Sequence, residues 1–163
     1  MSEKRENFLR PLSSLEQQIV DYVEPILIQS GTELVSIRVS GLKGKPLLAL
    51  FIDKTSLDEL ASLSRLISDA LDVANAEQNW LSGAYQLELS SPGLDRPLTK
   101  KSHFSKAVGQ NIRVKSSTGT VRGILQEISD SGIKVESHPE MIHWQDIRDA
   151  NIVHIFSKSP KRR

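Results

Sequence analysis

The sequence predicts an α+β protein with two parts, a two-layer αββαβ domain followed by a small β-barrel. Hydrophobic residues recur at helical spacing between a few strands in the first part of the chain. The second part has short apolar runs that are separated by glycine-containing turns. The segment LELSSPGLDRPL, residues 87–98, lies where one pattern replaces the other. This change of period predicts a boundary between two domains.

The composition is that of a soluble globular protein. Of 163 residues, 38% are hydrophobic and 25% are charged, which is enough apolar material for one ordinary domain or two small ones. Cysteine is absent, so disulfides and thiolate metal sites are excluded and a reducing compartment is favoured. The N-terminus lacks the apolar core of a signal peptide, and the longest apolar run, LLALFI, is far shorter than the roughly 20 residues that cross a bilayer. We expect a cytoplasmic protein without membrane association.

A first helix is expected after a polar N-terminus. Ser13 and Glu16 have the spacing of a capping box, and apolar residues then recur at helical spacing until Gly31. Pro25 lies inside this helix and should kink it, because proline removes one backbone donor and crowds the preceding turn.

Three strands and a second helix complete the first domain. Residues 35–40 alternate apolar and polar, which predicts a strand with one exposed face, and residues 47–53 are apolar on both faces, which predicts deeper burial. Ser56 and Glu59 repeat the capping-box spacing at the start of the second helix. The apolar stripe of that helix comprises Leu60, Leu63, Ile67, Ala70, Leu71 and Ala74. A third strand begins at Tyr85, so two helices can cover one face of a small sheet.

The second part is predicted to be a short helix and five strands. The helix covers residues 99–108, with Thr99 as its cap and with Phe104 and Val108 facing inward. The strands are NIRVK, TVRGILQEIS, GIKVES, EMIHW and NIVHIF. Gly123 interrupts the longest strand, as expected where a strand bends around a small barrel. Because closure removes exposed edges, the pattern favours an SH3-like or Sm-like barrel.

The boundary segment predicts a stiff connection. Pro92 and Gly93 fit the central positions of a type II turn, and Arg96 is held extended because it precedes Pro97. A simple tight turn before a helix is the alternative interpretation. The predicted parts are a frayed N-terminus, an N-terminal α/β domain, an interdomain connection, a barrel domain and a basic tail, at residues 1–12, 13–90, 91–98, 99–157 and 158–163.

The two parts carry opposite charge. Residues 1–98 contain 9 Lys and Arg against 14 Asp and Glu, and residues 99–163 contain 12 against 6, which gives net charges of −5 and +6. A basic domain favours phosphate backbones, and an acidic one favours a basic protein. A chance distribution over solvated faces would give the same numbers.

Patterns that carry chemistry are few. His138 and His143 lack the converging ligands of a zinc site, so solvated loops explain them better. The chain has no nucleophile elbow and no phosphate-binding loop of the Walker type, and hydrogen bonding in a turn explains Ser90 and Ser91. Residues 41–44 match the GxxG clamp of KH domains, but they lie between two strands, which favours a hairpin. We expect a protein that is not an enzyme and that needs no cofactor or metal.

Basic side chains of the second part are candidates for contact with RNA phosphates. Arg113 and Arg122 are expected to be exposed, opposite the apolar face of their strands, although exposed cations commonly only confer solubility. Aromatic residues make up 5%, which argues against a stacking platform and favours backbone-directed, salt-sensitive contacts. Trp144 is expected to cap the barrel core. The candidates for RNA contact are Lys100, Lys101, Lys106, Arg113, Lys115 and Arg122.

Over nearly its whole length the sequence resembles the RimP family of bacterial ribosome maturation factors. The resemblance rests on the proline-containing first helix, the pairs Ser64-Arg65 and Leu71-Asp72, the stretch from Tyr85 through LELSSPGLDRPL, and then Phe104 and Gly109. It implies an N-terminal α/β domain, a C-terminal Sm-like barrel and association with the free small (30S) ribosomal subunit during assembly. It also implies cooperation with incorporation of ribosomal protein twelve of that subunit near the decoding region. The tail is short, so any function of a longer basic extension is not expected.

Asp95 and Arg96 are expected to hold the relative orientation of the domains, and one or both of them are expected to engage protein groups. The interdomain motif comprises Ser90, Ser91, Pro92, Gly93, Asp95, Arg96 and Pro97. We expect a monomer. Two alternatives stay open: a free-standing Sm-like RNA-binding regulator, which would form rings and bind U-rich strands, and an unrecognised enzyme that uses Asp95, Arg96 and the nearby hydroxyls.

Overall fold

The computed structural model describes residues 7–41, 43–53, 56–81 and 83–155. The chain packs as two compact units, one of residues 11–92 and the other of residues 1–10 together with residues 93–163. The division lies within the predicted connection. That each unit folds independently stays a prediction.

The unit of residues 11–92 has the predicted order of elements. These are α1 (Ser14–Gln29), β1 (Leu34–Ser40), β2 (Leu47–Ile52), α2 (Leu57–Gln78) and β3 (Gln86–Ser90). The sheet order is β1-β2-β3, with β1 and β2 antiparallel and β2 and β3 parallel. Because parallel neighbours need a crossover connection, α2 carries the chain from β2 to β3.

Both helices of this unit begin at a capping box, as predicted. The backbone N–H of Glu16 donates to Ser13 Oγ (3.1 Å), and the backbone N–H of Ser13 donates to Glu16 Oε2 (2.9 Å). Ser56 and Glu59 make the same reciprocal pair. These bonds satisfy backbone donors that have no partner within the first turn of a helix.

The core of this unit lies on one face of the sheet. Along β2, Leu48, Leu50 and Ile52 are buried, whereas the residues between them are half-buried. β2 is therefore more deeply buried than β1, as predicted, because β1 has exposed residues and β2 has none. Four members of the predicted α2 stripe are buried, namely Leu63, Ile67, Leu71 and Ala74.

The described residues of the second unit form one short helix and five strands. Its elements are α3 (Lys101–Ala107), β4 (Asn111–Ser116), β5 (Gly119–Ile128), β6 (Gly132–Val135), β7 (Ile142–His143), a 3₁₀ turn (Trp144–Asp146) and β8 (Ile147–Ile152). The strand order is β7-β6-β5-β4-β8. Its core comprises Leu98, Phe104, Ala107, Ile112, Val114, Leu125, Ile133, Val135, Ile142, Ile147 and Ala150.

The prediction of a closed barrel is wrong in the part of the chain that the structure describes. β7 and β8 end the sheet without pairing to each other, because β7 has two residues and the 3₁₀ turn follows it directly. Residues 96–98 lie along β8 instead: Leu98 N–H donates to the Ala150 carbonyl and Ile152 N–H donates to the Arg96 carbonyl, both at 2.9 Å. This segment shields part of an edge that closure would otherwise have protected.

Three local predictions for the second unit need correction. The last strand begins at Ile147, four residues before its predicted start. Lys100, and not Thr99, occupies the cap position of α3, and no side chain caps that helix. Val108 is 45% exposed, because the backbone has already left the helix at that residue.

Residues 7–10 pack on the second unit, whereas residues 1–6 and the predicted basic tail, residues 158–163, lie outside the described residues. The sequence predicted a frayed segment over residues 1–12, whereas the backbone N–H of Leu9 donates to the carbonyl oxygen of Thr99 (2.8 Å). The Leu9 side chain is half-buried against the core of the second unit. Residues 7–10 therefore contribute to that unit, although they precede α1 in sequence.

Two glycines of the second unit lie where the backbone has little room. A Cβ on Gly132 would lie 2.1 Å from the carbonyl oxygen of Ile142 on the neighbouring strand. A Cβ on Gly123 would lie 2.8 Å from Ser137 Oγ, at the point where β5 passes from pairing with β4 to pairing with β6. No helix among the described residues has both the length and the apolar content to span a membrane.

Candidate nucleic-acid interface

Three of the predicted basic residues lie on the outer face of the second sheet. Ile112 and Val114 of β4 are buried, so Arg113 and Lys115 project to the opposite side. Arg122 of β5 is the direct cross-strand neighbour of Arg113. The cations of the two strands therefore form one patch.

Arg113 differs from its prediction, because it is half-buried and already paired. Its Nε donates to Asn151 Oδ1 and its guanidinium NH2 donates to Asp149 Oδ2, both at 2.9 Å. Both partners lie on β8, and Asn151 is directly opposite Arg113 in the ladder. Asp149 also places one negative charge at the edge of the patch. Lys115 and Arg122 are exposed.

The three predicted lysines of the α3 region differ in exposure. Lys101 and Lys106 are exposed, at the first and last turns of α3. Lys100 is 6% exposed, and its Nζ lies 4.7 Å from the centroid of the Phe8 ring. Of the six predicted cations, the structure presents four to solvent, which are Lys101, Lys106, Lys115 and Arg122.

An aromatic cleft lies beside α3. It has a volume of about 430 Å³ and is lined by Asn7, Phe8, Leu9, Lys101, Trp144 and Gln145. Trp144 packs edge-on against buried Phe104, with 5.2 Å between ring centroids, and its Nε1 donates to the Ser129 carbonyl oxygen (2.9 Å). The prediction that Trp144 packs against the core is confirmed. The cleft could not be predicted from the sequence, because Phe8 and Trp144 are far apart along the chain.

The predicted interdomain motif divides between the two units. Ser90 ends β3, and Ser91 and Pro92 complete the first unit. Gly93 has a φ of +73°, as expected for the residue after proline in a type II turn.

The second half of the motif is held on β8. Pro97 forms a bridge with Asn151, and the backbone N–H of His154 donates to Asp95 Oδ1 (3.3 Å). Asp95 thus engages a protein group. The role of Asp95 and Arg96 in the orientation of the domains stays a prediction.

The GxxG segment is a hairpin turn. Gly44 N–H donates to the Gly41 carbonyl oxygen (3.0 Å), and antiparallel β1 and β2 flank the turn. Residue 42, within the motif, lies outside the described residues. Among the residues that the structure describes, no three potential metal-ligating side chains come together.

Two residues of the family resemblance meet in the first unit. The Tyr85 hydroxyl donates to Asp72 Oδ1 (2.6 Å) and connects the start of β3 with α2. Burial raises the pKa of Tyr85 to about 12, and the hydrogen bond to Asp72 acts in the same direction. This pair is part of the scaffold and lies on the acidic unit.

The charge difference between the two compact units is larger than the difference between residues 1–98 and 99–163. Residues 11–92 carry 5 Lys and Arg against 11 Asp and Glu, whereas the other unit carries 16 against 9. The net charges are therefore −6 and +7. Residues 1–10 add to the basic unit, because they include Arg10 and two further cations against two acids.

The first unit matches a known protein family. The model of the RimP N-terminal domain matches residues 22–95, which extend from the third turn of α1 through β3 to the boundary motif. The match thus covers most of the acidic unit.

Proposed function

Because the chain belongs to the RimP family of ribosome maturation factors, we propose that it is a non-catalytic assembly factor of the small ribosomal subunit. In this proposal it binds the free subunit in the cytoplasm. It assists the organisation of rRNA and of a basic ribosomal protein, protein twelve of that subunit, near the decoding region.

The separation of charge between the two units carries this proposal. An RNA backbone attracts cations and releases its own counterions when they bind, so the unit with net charge +7 suits rRNA. The unit with net charge −6 repels RNA and suits a basic protein. A single factor can then contact both components of a ribosomal subunit.

Four exposed cations are the proposed phosphate contacts. Lys115 and Arg122 lie on the outer face of the sheet, and Lys101 and Lys106 lie on α3. Arg113 would join them only after releasing Asp149, and Lys100 is buried. The phosphate-binding set is therefore smaller than the sequence suggested.

A sucrose gradient of cell lysate tests the proposal. The protein should comigrate with free small subunits and be absent from intact ribosomes. A variant with Lys101→Glu, Lys106→Glu and Lys115→Glu should no longer comigrate with free small subunits. It should still bind isolated ribosomal protein twelve.

A matched variant controls for net charge. Lys43→Glu, Lys45→Glu and Arg65→Glu make the same change of charge at exposed positions of the acidic unit. If this control lost the subunit as completely as the first variant did, the location of the cations would not matter and the proposed interface would be wrong. A ring-shaped oligomer that bound U-rich strands and no subunit would instead support a free-standing Sm-like regulator.

A further inference from the structure

We propose that the cleft between Phe8 and Trp144 holds one unstacked base of a single-stranded RNA segment. The inference rests on the proposed function for the identity of the polymer. It adds a contact of a different kind, since the proposed interface recognises phosphates and this cleft would bind a base.

The cleft has the side chains that single-stranded bases require. Phe8 and Trp144 each present a half-buried aromatic ring, and a base can stack on such a ring whatever its identity. The exposed amides of Asn7 and Gln145 offer a donor and an acceptor each for the edge of a base.

The charge around the cleft favours an anionic polymer over an apolar protein segment. Lys101 is exposed, and its Nζ lies 5.4 Å from the centroid of the Trp144 ring. A base that occupies the cleft would place its phosphate within reach of this flexible ammonium group. Lys106 lies on the same short helix and can meet a neighbouring phosphate. Among the residues that line the cleft, none carries a negative charge.

The cleft is large enough and is held open by packed groups. Its volume of about 430 Å³ falls within the range of about 300–1,000 Å³ that is typical of small-molecule sites. Trp144 is held by its hydrogen bond to Ser129 and its contact with Phe104. Phe8 is held by the neighbouring backbone bond between Leu9 and Thr99. The two rings are therefore positioned before RNA arrives, which lowers the entropic cost of binding.

Binding of hexauridylate and of an abasic ribose-phosphate hexamer to the full chain tests the proposal. Both probes present phosphates, but only the first has bases. Trp80→Phe in the other unit leaves Trp144 as the only tryptophan, so quenching of its fluorescence reports the cleft. Since one stacked base contributes about 1–3 kcal/mol, hexauridylate should bind about 5- to 150-fold more tightly than the abasic hexamer and should quench Trp144.

Substitution of Phe8 locates the effect. Phe8→Leu keeps an apolar side chain but removes the ring, so it should reduce the affinity for hexauridylate towards that of the abasic hexamer and leave the latter unchanged. Ile124→Ala removes an exposed apolar side chain elsewhere on the same unit and should change neither affinity. The fold of each variant is checked by its thermal melt.

Three results would overturn the proposal. The first is equal affinity for the two hexamers. The second is a preference for hexauridylate over the abasic hexamer that is the same in Phe8→Leu as in the unsubstituted chain. The third is quenching of Trp144 fluorescence by N-acetyl-leucine amide but not by hexauridylate. The last would identify a protein-docking cleft. The subunit gradient remains independent of these results, because loss of base discrimination leaves the phosphate contacts of the proposed function intact.

Discussion

The hydroxyl of Tyr85 donates to the carboxylate of Asp72 at 2.6 Å, across 13 positions of sequence. The bond connects the residue before β3 to the exposed side of α2. Parallel pairing of β2 with β3 depends on where α2 delivers the chain, so this bond helps to position the edge strand of the acidic unit.

Tyr85→Phe should lower the free energy of unfolding by about 1 kcal/mol. A hydrogen bond to a charged group contributes about 1.5–3 kcal/mol, and partial exposure reduces that value. Chemical denaturation monitored by circular dichroism measures the change. Tyr22→Phe is the control, because the Tyr22 hydroxyl accepts a bond from the neutral amide of Gln78. An equal loss in both variants would contradict a special contribution of the Tyr85–Asp72 pair.

The same pair predicts a loss of stability at alkaline pH. The folded protein raises the pKa of Tyr85 to about 12 from its usual 10, so the folded state holds this proton more tightly. The contribution of protonated Tyr85 to folding stability is complete below pH 10, and it is lost as the pH rises from about 10 to about 12. The difference in unfolding free energy between Tyr85→Phe and the unsubstituted chain should therefore shrink over that interval. A difference that stayed constant would be contrary to this prediction.

Gly132→Ala should destabilise the basic unit by about 1–3 kcal/mol or more. The added Cβ would overlap a backbone carbonyl of β7 and would force the two strands apart. Gly44→Ala serves as the comparison, because a Cβ there meets no atom within 4 Å. Thermal melts of the two variants provide the measurement. Equal melting temperatures would show that the β6–β7 contact is looser than described.

Lys115→Gln should flatten the salt dependence of subunit binding by about 0.7–0.9 on a log–log plot, the value for one lost phosphate contact. Lys100→Gln should leave that slope unchanged, because Lys100 is buried beside Phe8. The two variants remove the same charge from the same unit. Binding constants at a series of salt concentrations distinguish them, and the opposite order of slopes would refute the assignment of exposed and buried cations.

Asp149→Asn should tighten RNA binding. The substitution removes one negative charge from the basic patch and releases the Arg113 guanidinium, which then can reach a phosphate. We expect the log–log slope of affinity against salt concentration to steepen by up to the value for one phosphate contact. Asp130→Asn, at an exposed loop position of the same unit, controls for net charge. If both variants gained affinity equally, release of Arg113 would not be the cause.

The local features were predictable from the sequence. Ser13 and Ser56 begin their helices at the expected capping boxes, because the interacting groups are three residues apart. Gly93 has its expected positive φ, since the turn is determined by two adjacent residues. Such features depend on neighbours along the chain, which a sequence displays directly.

The missed features depend on residues that are distant in sequence. Burial of Lys100 requires Phe8, and pairing of Arg113 requires Asp149 and Asn151. None of these three partners could be identified from periodicity, because a strand pattern shows which face is apolar and not which strand lies beside it. The closed barrel was predicted from the number of short strands, their exposed edges and the Gly123 bend, whereas β7 and β8 flank a 3₁₀ turn and do not pair.

The placement of residues 7–10 on the second unit has a consequence for synthesis on the ribosome. Thr99, to which Leu9 bonds, is translated about 90 residues after Leu9. The acidic unit is complete in the nascent chain before any strand of the basic unit has appeared, and domains commonly fold in that order. The basic unit is therefore discontinuous in sequence, and residues 7–10 can complete it only after the strands that follow the acidic unit have been translated.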